Sequence, residues 1–185
     1  VRQEIGIIFQ DPSLDDRLTA EDNLTFHGHL YHMSHADIKE RIPEVLRLVE
    51  LYDRKGDFVR KFSGGMKRRL EIARGLMHRP KLLFLDEPTL GLDPQTRAHI
   101  WDYVLAMRKT SGLSIFMTTH YMQEAEICDR VAIMDHGKIV DLDTPANLKA
   151  KYNESTLEGV FLKVTGSEIR AQAGESAWTQ WMRRT

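Results

Sequence analysis

Three short apolar runs, Leu82-Leu83-Phe84-Leu85, Leu113-Ser114-Ile115-Phe116-Met117 and Val131-Ala132-Ile133-Met134, punctuate the second half of the chain. A helical stretch from Gln95 to about Lys109 separates the first two. Runs this short and continuous read as strands covered on both faces, and strands joined through a helical crossover lie parallel. That half is thereby constrained to an α/β layer, helices packed on a parallel sheet. Glu4-Ile5-Gly6-Ile7-Ile8-Phe9 reads as one more buried strand.

The intervening residues carry the helical period instead. Thr19 followed by Asp22 is a capping-box start for a helix through about Tyr31. Ser34 and Asp37 repeat the signal, and Ile38, Ile42, Val45, Leu46 and Val49 then share one face. Met66, Leu70, Ala73, Leu76 and Met77 form a third stripe, with Lys67-Arg68-Arg69 as its solvated face and Pro80 as its stop. Asp135-His136-Gly137 turns into Lys138-Ile139-Val140-Asp141-Leu142 as a hairpin. Thr144-Pro145 opens a short helix, and Ser155-Thr156-Leu157-Glu158 reads as a second capping box opening another. From Ser167 onward the chain is polar apart from Trp178, Trp181 and Met182, which predicts no more than a marginal helix.

Composition removes several functions. A net charge of -1 lacks the clustered excess of Lys and Arg on which nonspecific nucleic-acid binding rests, so no nucleic-acid partner is expected. No stretch reaches the roughly 18 to 20 apolar residues of a membrane span, and no signal peptide opens the sequence. A membrane role would be exercised from the cytoplasmic side. The one cysteine, Cys128, reads as a buried inert thiol. His27, His29, His32 and His35 lack matching cysteine or acidic spacing, and read as partly exposed helix residues rather than a metal site. Trp101, beside Ile100, Val104 and Leu105, packs at the core edge.

Two segments carry chemistry. Leu82 to Leu85 runs directly into Asp86-Glu87, which places adjacent carboxylates at the C-terminal edge of a strand, where α/β sheets bind ligands. In a nucleotide-hydrolysing site the first acid holds magnesium and the second orients and deprotonates the attacking water. Phe62-Ser63-Gly64-Gly65 opens a helix, so free backbone N–H groups, a hydroxyl and the positive end of the helix dipole converge as they do at phosphate sites. Either segment alone could be an exposed acidic turn or an ordinary helix cap.

Taken in order, Gln10, Ser63-Gly64-Gly65-Met66-Lys67, Leu82 to Glu87, Gly91-Leu92-Asp93-Pro94 and His120 resemble the ABC-type ATPase family. They match its glutamine loop, LSGGQ-like signature, acidic strand, D-loop and switch histidine. The resemblance implies a P-loop NTPase-type layered α/β sheet with crossover helices and an inserted α-helical subdomain. It divides the chain into 1–18 (end of the first core strand and glutamine loop), 19–79 (helical subdomain ending in the signature helix), 80–143 (RecA-like core) and 144–185 (C-terminal helices and tail). It implies Glu87 as general base, His120 as γ-phosphate contact, Gln10 as a contact to magnesium and the attacking water, and Asp86 as magnesium ligand. Ser63, Gly64 and Gly65 would contact the nucleotide of an opposite subunit, and Asp93 would couple the two sites. ATP and Mg2+ are the implied cofactors. A homodimer or paired ATPase subunit and transmembrane permease subunits are the implied partners, at the cytoplasmic face of the membrane.

The sequence departs from the family at two points. Met66-Lys67 stands where a glutamine is more usual, a variation similar to that of drug and antibiotic exporters, as is the ending Leu157 to Gly166. No G-x-x-x-x-G-K-[ST] phosphate loop occurs, so the chain is expected to be N-terminally truncated before that loop and inactive alone. A repair-type or translation-type soluble ATPase and a partner-binding remnant remain alternatives. The first is disfavoured because Gln10 to Ser63 leaves room only for short helices, with no long coiled coil.

Overall fold

The computed structural model describes residues 2–11 and 13–166. Trp178, Trp181, Met182 and the marginal tail helix lie outside them. The described residues fall into two compact units that divide between His120 and Tyr121.

In the first unit, β1 (Ile5–Ile8) leads into α1 (Ala20–Leu30), α2 (His35–Leu48) and α3 (Gly64–Gly75). Then follow β2 (Leu82–Asp86), α4 (Pro94–Ser111) and β3 (Ser114–Thr118). The strands make one parallel sheet in the order β1-β2-β3, with Ile8 opposite Leu85 and Asp86 opposite Thr118. Fold class is therefore as the sequence implied: a parallel α/β sheet with a crossover helix and a preceding helical segment.

Local chemistry sets the helix starts. Thr19 accepts from the Asp22 amide while Asp22 accepts from the Thr19 amide, a complete capping box. Ser34, Ser63 and Asp93 each cap the N3 amide of their helices. The α3 helix begins at Gly64, before the first residue of its apolar stripe, because the Ser63 cap sets the start. Gly112, with φ 63°, ends α4 in the left-handed conformation that glycine adopts without penalty.

Ile38, Ile42, Val45, Leu46 and Val49 of the α2 segment are buried together with Leu24, Leu70 and Leu76, joining the helices in one core. The same cluster takes in Ile8, Leu83 and Leu85 from the sheet and Ile100, Trp101 and Val104 from α4. Gly6 marks where the end of α3 meets β1: a Cβ there would lie 2.7 Å from the Gly75 carbonyl oxygen and 2.8 Å from Leu83 Cδ1. The expectation of strands covered on both faces holds on one face only. Ile7 and Phe116 project the other way and are 47% and 59% exposed, because strand side chains alternate and the covering helices share the side of Ile8 and Leu83.

The second unit holds α5 (Met122–Ala125), β4 (Val131–Asp135), β5 (Lys138–Asp143), α6 (Pro145–Tyr152) and α7 (Leu157–Thr165). Here β4 does not extend the parallel series; it pairs antiparallel with β5 in a two-stranded sheet. The reason is the tight turn at His136 (φ 45°) and Gly137 (φ 74°), two left-handed residues that reverse the chain at once. The second capping box is also corrected. The cap of α7 is Thr156, whose hydroxyl accepts from Gly159, so Ser155 and Glu158 are not its pair. That register buries Leu157 and Val160 against Leu148, Ala125 and Ile133. Cys128 is half-buried, with its thiol 3.5 Å from the Glu124 carbonyl oxygen.

The four histidines between His27 and His35 divide. His29, His32 and His35 are exposed, whereas the His27 ring is half-buried, 4.6 Å from Tyr31, which stacks on His78 at 3.8 Å. No metal-binding group of three such residues exists among the described residues. Burial, then the Arg74 and His78 charges, push His27 down to about 3 from 6.5. The unfolded chain takes up a proton at His27 below about 6.5 that the folded chain refuses until about 3, so folding stability falls as pH drops through that window. Melting temperatures from pH 7 to 4 are expected to decline, and His27→Phe to flatten the slope. Equal slopes for both proteins would remove His27 as the cause.

Candidate functional site

The C-terminal edge of the sheet is where the chemistry collects. β2 delivers Asp86 and β3 delivers Thr118 opposite it, and the Thr118 hydroxyl donates to the Asp86 carboxylate. One residue on, the chain leaves the strand at Glu87 with φ 41°, a left-handed conformation unusual for a side chain of this size. Two contacts hold it there: the Glu87 amide donates to the Thr118 carbonyl and hydroxyl oxygens, both at 3.2 Å. The consequence is a half-buried carboxylate whose Oε1 lies 3.3 Å from His120 Nδ1. Asp86, Glu87 and His120 are thus brought together by strand register and one strained turn. The His120 side chain is 52% exposed, so the cluster opens to solvent.

Beyond Glu87, turns from Leu90 to Glu87 and Leu92 to Thr89 carry the chain to Asp93. Asp93 caps α4, accepting from the Thr96 amide at 3.0 Å and from its hydroxyl at 2.7 Å. Those Thr96 hydrogen bonds hold the Asp93 carboxyl below its usual range. Thr96 in turn packs on the glycine pair, since a Cβ on Gly65 would lie 2.9 Å from Thr96 Cγ2. Ser63, Gly64, Gly65 and Asp93 therefore form a second grouping, in which Gly64 borders open space. The Ser63 hydroxyl caps α3 by accepting from the Met66 amide at 3.2 Å.

Gln10 is exposed, and its main chain is held from α3. Here the expectation of a solvated Lys67-Arg68-Arg69 face is overturned. Arg68 is 5% exposed and donates to five main-chain carbonyls, those of Phe9, Gln10, Asp86, Glu87 and Pro88. Burial lowers its pKa, opposed by the Glu71 and Asp86 charges, and the five acceptors match the five guanidinium N–H donors. Lys67 reaches Asp16 at 2.9 Å, and Arg69 reaches the Val49 carbonyl at 3.3 Å. One and two turns along α3, Glu71 and Arg74 grip Ser13. Glu71 is fully buried and accepts from the Ser13 amide at 2.6 Å, while Arg74 donates to the Ser13 carbonyl at 2.7 Å and pairs with Glu71 at 2.9 Å.

Arg68, Glu71, Arg74, Ser13, Thr96 and Thr118 are the residues that sequence reasoning did not single out as site components. A signal existed for three of them: Arg68, Glu71 and Arg74 stand three apart and alternate in sign, the spacing of one helical row. Adjacent carboxylates suit a hard cation, and an imidazole beside a carboxylate suits proton handling near a phosphate. The donor set thus fits a magnesium-bound nucleotide.

Comparison with known proteins agrees. The family model described as ABC transporter matches residues 1–90. The linearmycin resistance ATP-binding protein LnrL of Bacillus subtilis (strain 168) is 43% identical over 89% of this chain and 52% of its own length. The daunorubicin/doxorubicin resistance ATP-binding protein DrrA of Streptomyces peucetius is 38% identical over 94% of this chain and 52% of its own. The Nod factor export ATP-binding protein I of Rhizobium sp. (strain N33) is 44% identical over 74% of this chain and 45% of its own. A solved ATP-binding subunit of an ABC transporter superposes with a TM-score of 0.77 at 27% identity, over 89% of this chain and 70% of that one. The chain spans about half the length of the curated relatives it matches. With its parallel sheet, its acidic strand end and its relatives in agreement, the chain belongs to the ABC transporter ATP-binding family.

Proposed function

We propose that this chain is the hydrolytic part of an exporter's ATP-binding subunit. The observation that carries the reading is the Asp86, Glu87 and His120 cluster at the sheet edge. Glu87 orients and deprotonates the attacking water, His120 contacts the γ-phosphate, and Asp86 with Gln10 holds Mg2+. Mg-ATP, when bound, supplies an electrophilic γ-phosphate whose negative charge the metal offsets. The 3.3 Å separation of His120 Nδ1 from Glu87 Oε1 lets the imidazole steady the carboxylate before it accepts a proton.

Ser63, Gly64 and Gly65 meet the nucleotide of a second ATP-binding chain in a head-to-tail dimer, a homodimer or a paired subunit. The open space beside Gly64 supports this. Asp93, through Thr96 and Gly65, ties the turn after the acids to that same surface. Closure on two nucleotides and reopening after hydrolysis would drive separate transmembrane permease subunits from the cytoplasmic face of the membrane. Among the described residues no helix is long and apolar enough to cross a membrane. The resistance and export functions in the relatives' names support outward transport of a small molecule.

Magnesium-dependent ATP hydrolysis by the full-length gene product is the direct test, and its absence would overturn the reading. His120→Ala is expected to lower kcat about 100-fold or more, within the range for a group acting on proton and charge. The 185 residues contain no glycine-rich phosphate loop, so by themselves they should bind Mg-ATP too weakly for calorimetric detection. Micromolar affinity would contradict that expectation.

A further inference from the structure

Arg68 stands out because its side chain touches two functional segments through their main chains. Both segments are where parallel strands end. Beyond Ile8 and Leu85 the β1-β2 ladder stops, and the carbonyls of Phe9, Gln10, Asp86, Glu87 and Pro88 there accept from a side chain, Glu87 in addition to its turn bond from the Leu90 amide. One guanidinium supplies them. Nε serves Pro88, one terminal nitrogen serves Phe9 and, at 3.5 Å, Gln10, and the other serves Asp86 at 3.1 Å and Glu87 at 3.3 Å. Arg68 itself lies on α3, whose N-terminus is the Ser63-Gly64-Gly65 segment.

We propose that Arg68 is a positioning residue for hydrolysis: a single buried fork that fixes Gln10 and Glu87 in one frame and ties that frame to the signature helix. The proposal rests on the ATPase reading above. Its physical content is geometric. A planar guanidinium with donors along both edges can hold two main-chain segments at a set separation, whereas an ammonium group offers three donors from one atom and cannot span both. Movement of α3 would be transmitted at once to the loop carrying Gln10 and to the turn carrying Glu87. Glu71 and Arg74 extend the grip to Ser13, so the loop that contains Gln10 is held on both sides from one helix. The charge of Arg68 faces Glu71 on its own helix and Asp86 on β2, both of which favour the ionised fork.

A purely structural Arg68 would lower stability when replaced and leave turnover per folded molecule alone. The test separates these outcomes in the full-length gene product with Arg68→Lys and Arg68→Gln, beside Val104→Ala as a core substitution of comparable thermal effect. Arg68→Lys is expected to reduce kcat at least about tenfold with KM for ATP within about twofold, and Arg68→Gln to reduce it further. Val104→Ala, at equal loss of melting temperature, should keep its kcat. Arg68 variants whose kcat per folded molecule matches that of Val104→Ala would overturn the proposal.

Should neither Arg68 variant fold, amide hydrogen exchange on the unsubstituted protein decides. Residues 10–11 and 87–90 should open with the same exchange constant because one side chain holds both. Opening constants that differ more than tenfold would overturn the single clamp. A gene product that hydrolyses no ATP before any substitution would sink the ATPase reading and the hydrolytic role of Arg68 together; the exchange result then shows whether the clamp exists regardless.

Discussion

Glu87→Gln is expected to abolish turnover, lowering kcat in the full-length gene product at least about 100-fold, the scale of a lost general base. The substitution is clean for a structural reason. What holds residue 87 in place is its own amide, bonded to the Thr118 carbonyl and hydroxyl oxygens, and these bonds do not involve the side chain. The replacement amide keeps the shape of the carboxylate and can still meet His120, but it cannot take a proton from water. Affinity for Mg-ATP should therefore persist, and the protein should accumulate as an ATP-bound dimer, readable by light scattering with and without nucleotide. Hydrolysis at the unsubstituted rate would remove Glu87 from the chemistry.

Glu71→Ala should have the largest effect on stability. Glu71 is fully buried, and its two oxygens serve the Ser13 amide and the Arg74 guanidinium. Removing one partner of a buried pair leaves the other charge without compensation, which costs about 3–5 kcal/mol. The Ser13 amide also loses its acceptor, but Ser13 is exposed and water takes the place of the carboxylate, so this loss adds little. A fall in melting temperature of about 10 °C or more follows for a chain of this size. Glu71→Gln keeps an acceptor for Ser13 and should lose much less. Comparable urea midpoints for Glu71→Ala and the unsubstituted chain would show that the pair contributes little.

The two residues differ in how far the sequence announced them. Glu87 was legible because a buried strand running straight into adjacent acids is a local pattern, and the edge of a parallel sheet fixes what such acids can do. Caps at Thr19, Ser34 and Thr144 were legible for the same reason, each being settled within four residues. The α7 cap was misread by one position because Ser155 and Thr156 are both competent, and burial of Leu157 and Val160 decided between them. Strand β4 looked like the other apolar runs, but its pairing depends on the two-residue turn that follows it rather than on its own composition.

Arg68 was the least legible residue. Its acceptors lie 18 to 20 residues ahead and 58 to 59 residues behind in the chain. No local pattern separates a lysine-arginine run that faces water from one whose middle member is buried under two strand ends. Glu71 shared that fate: its three-residue spacing from Arg68 and Arg74 marks one helical row, but nothing in that row tells whether it faces water or core. What the helical period did show, the apolar stripe from Leu70 to Met77, packs as expected.

The left-handed backbone at Glu87 sets stability and activity against one another at a single residue. A non-glycine residue at φ 41° costs about 1 kcal/mol or more, and glycine would relieve it, so selection for folding alone would discard this glutamate. Its retention in an active lineage would then reflect hydrolysis. A stability-directed library of this protein should enrich glycine or asparagine at position 87 among its best folders and its worst enzymes.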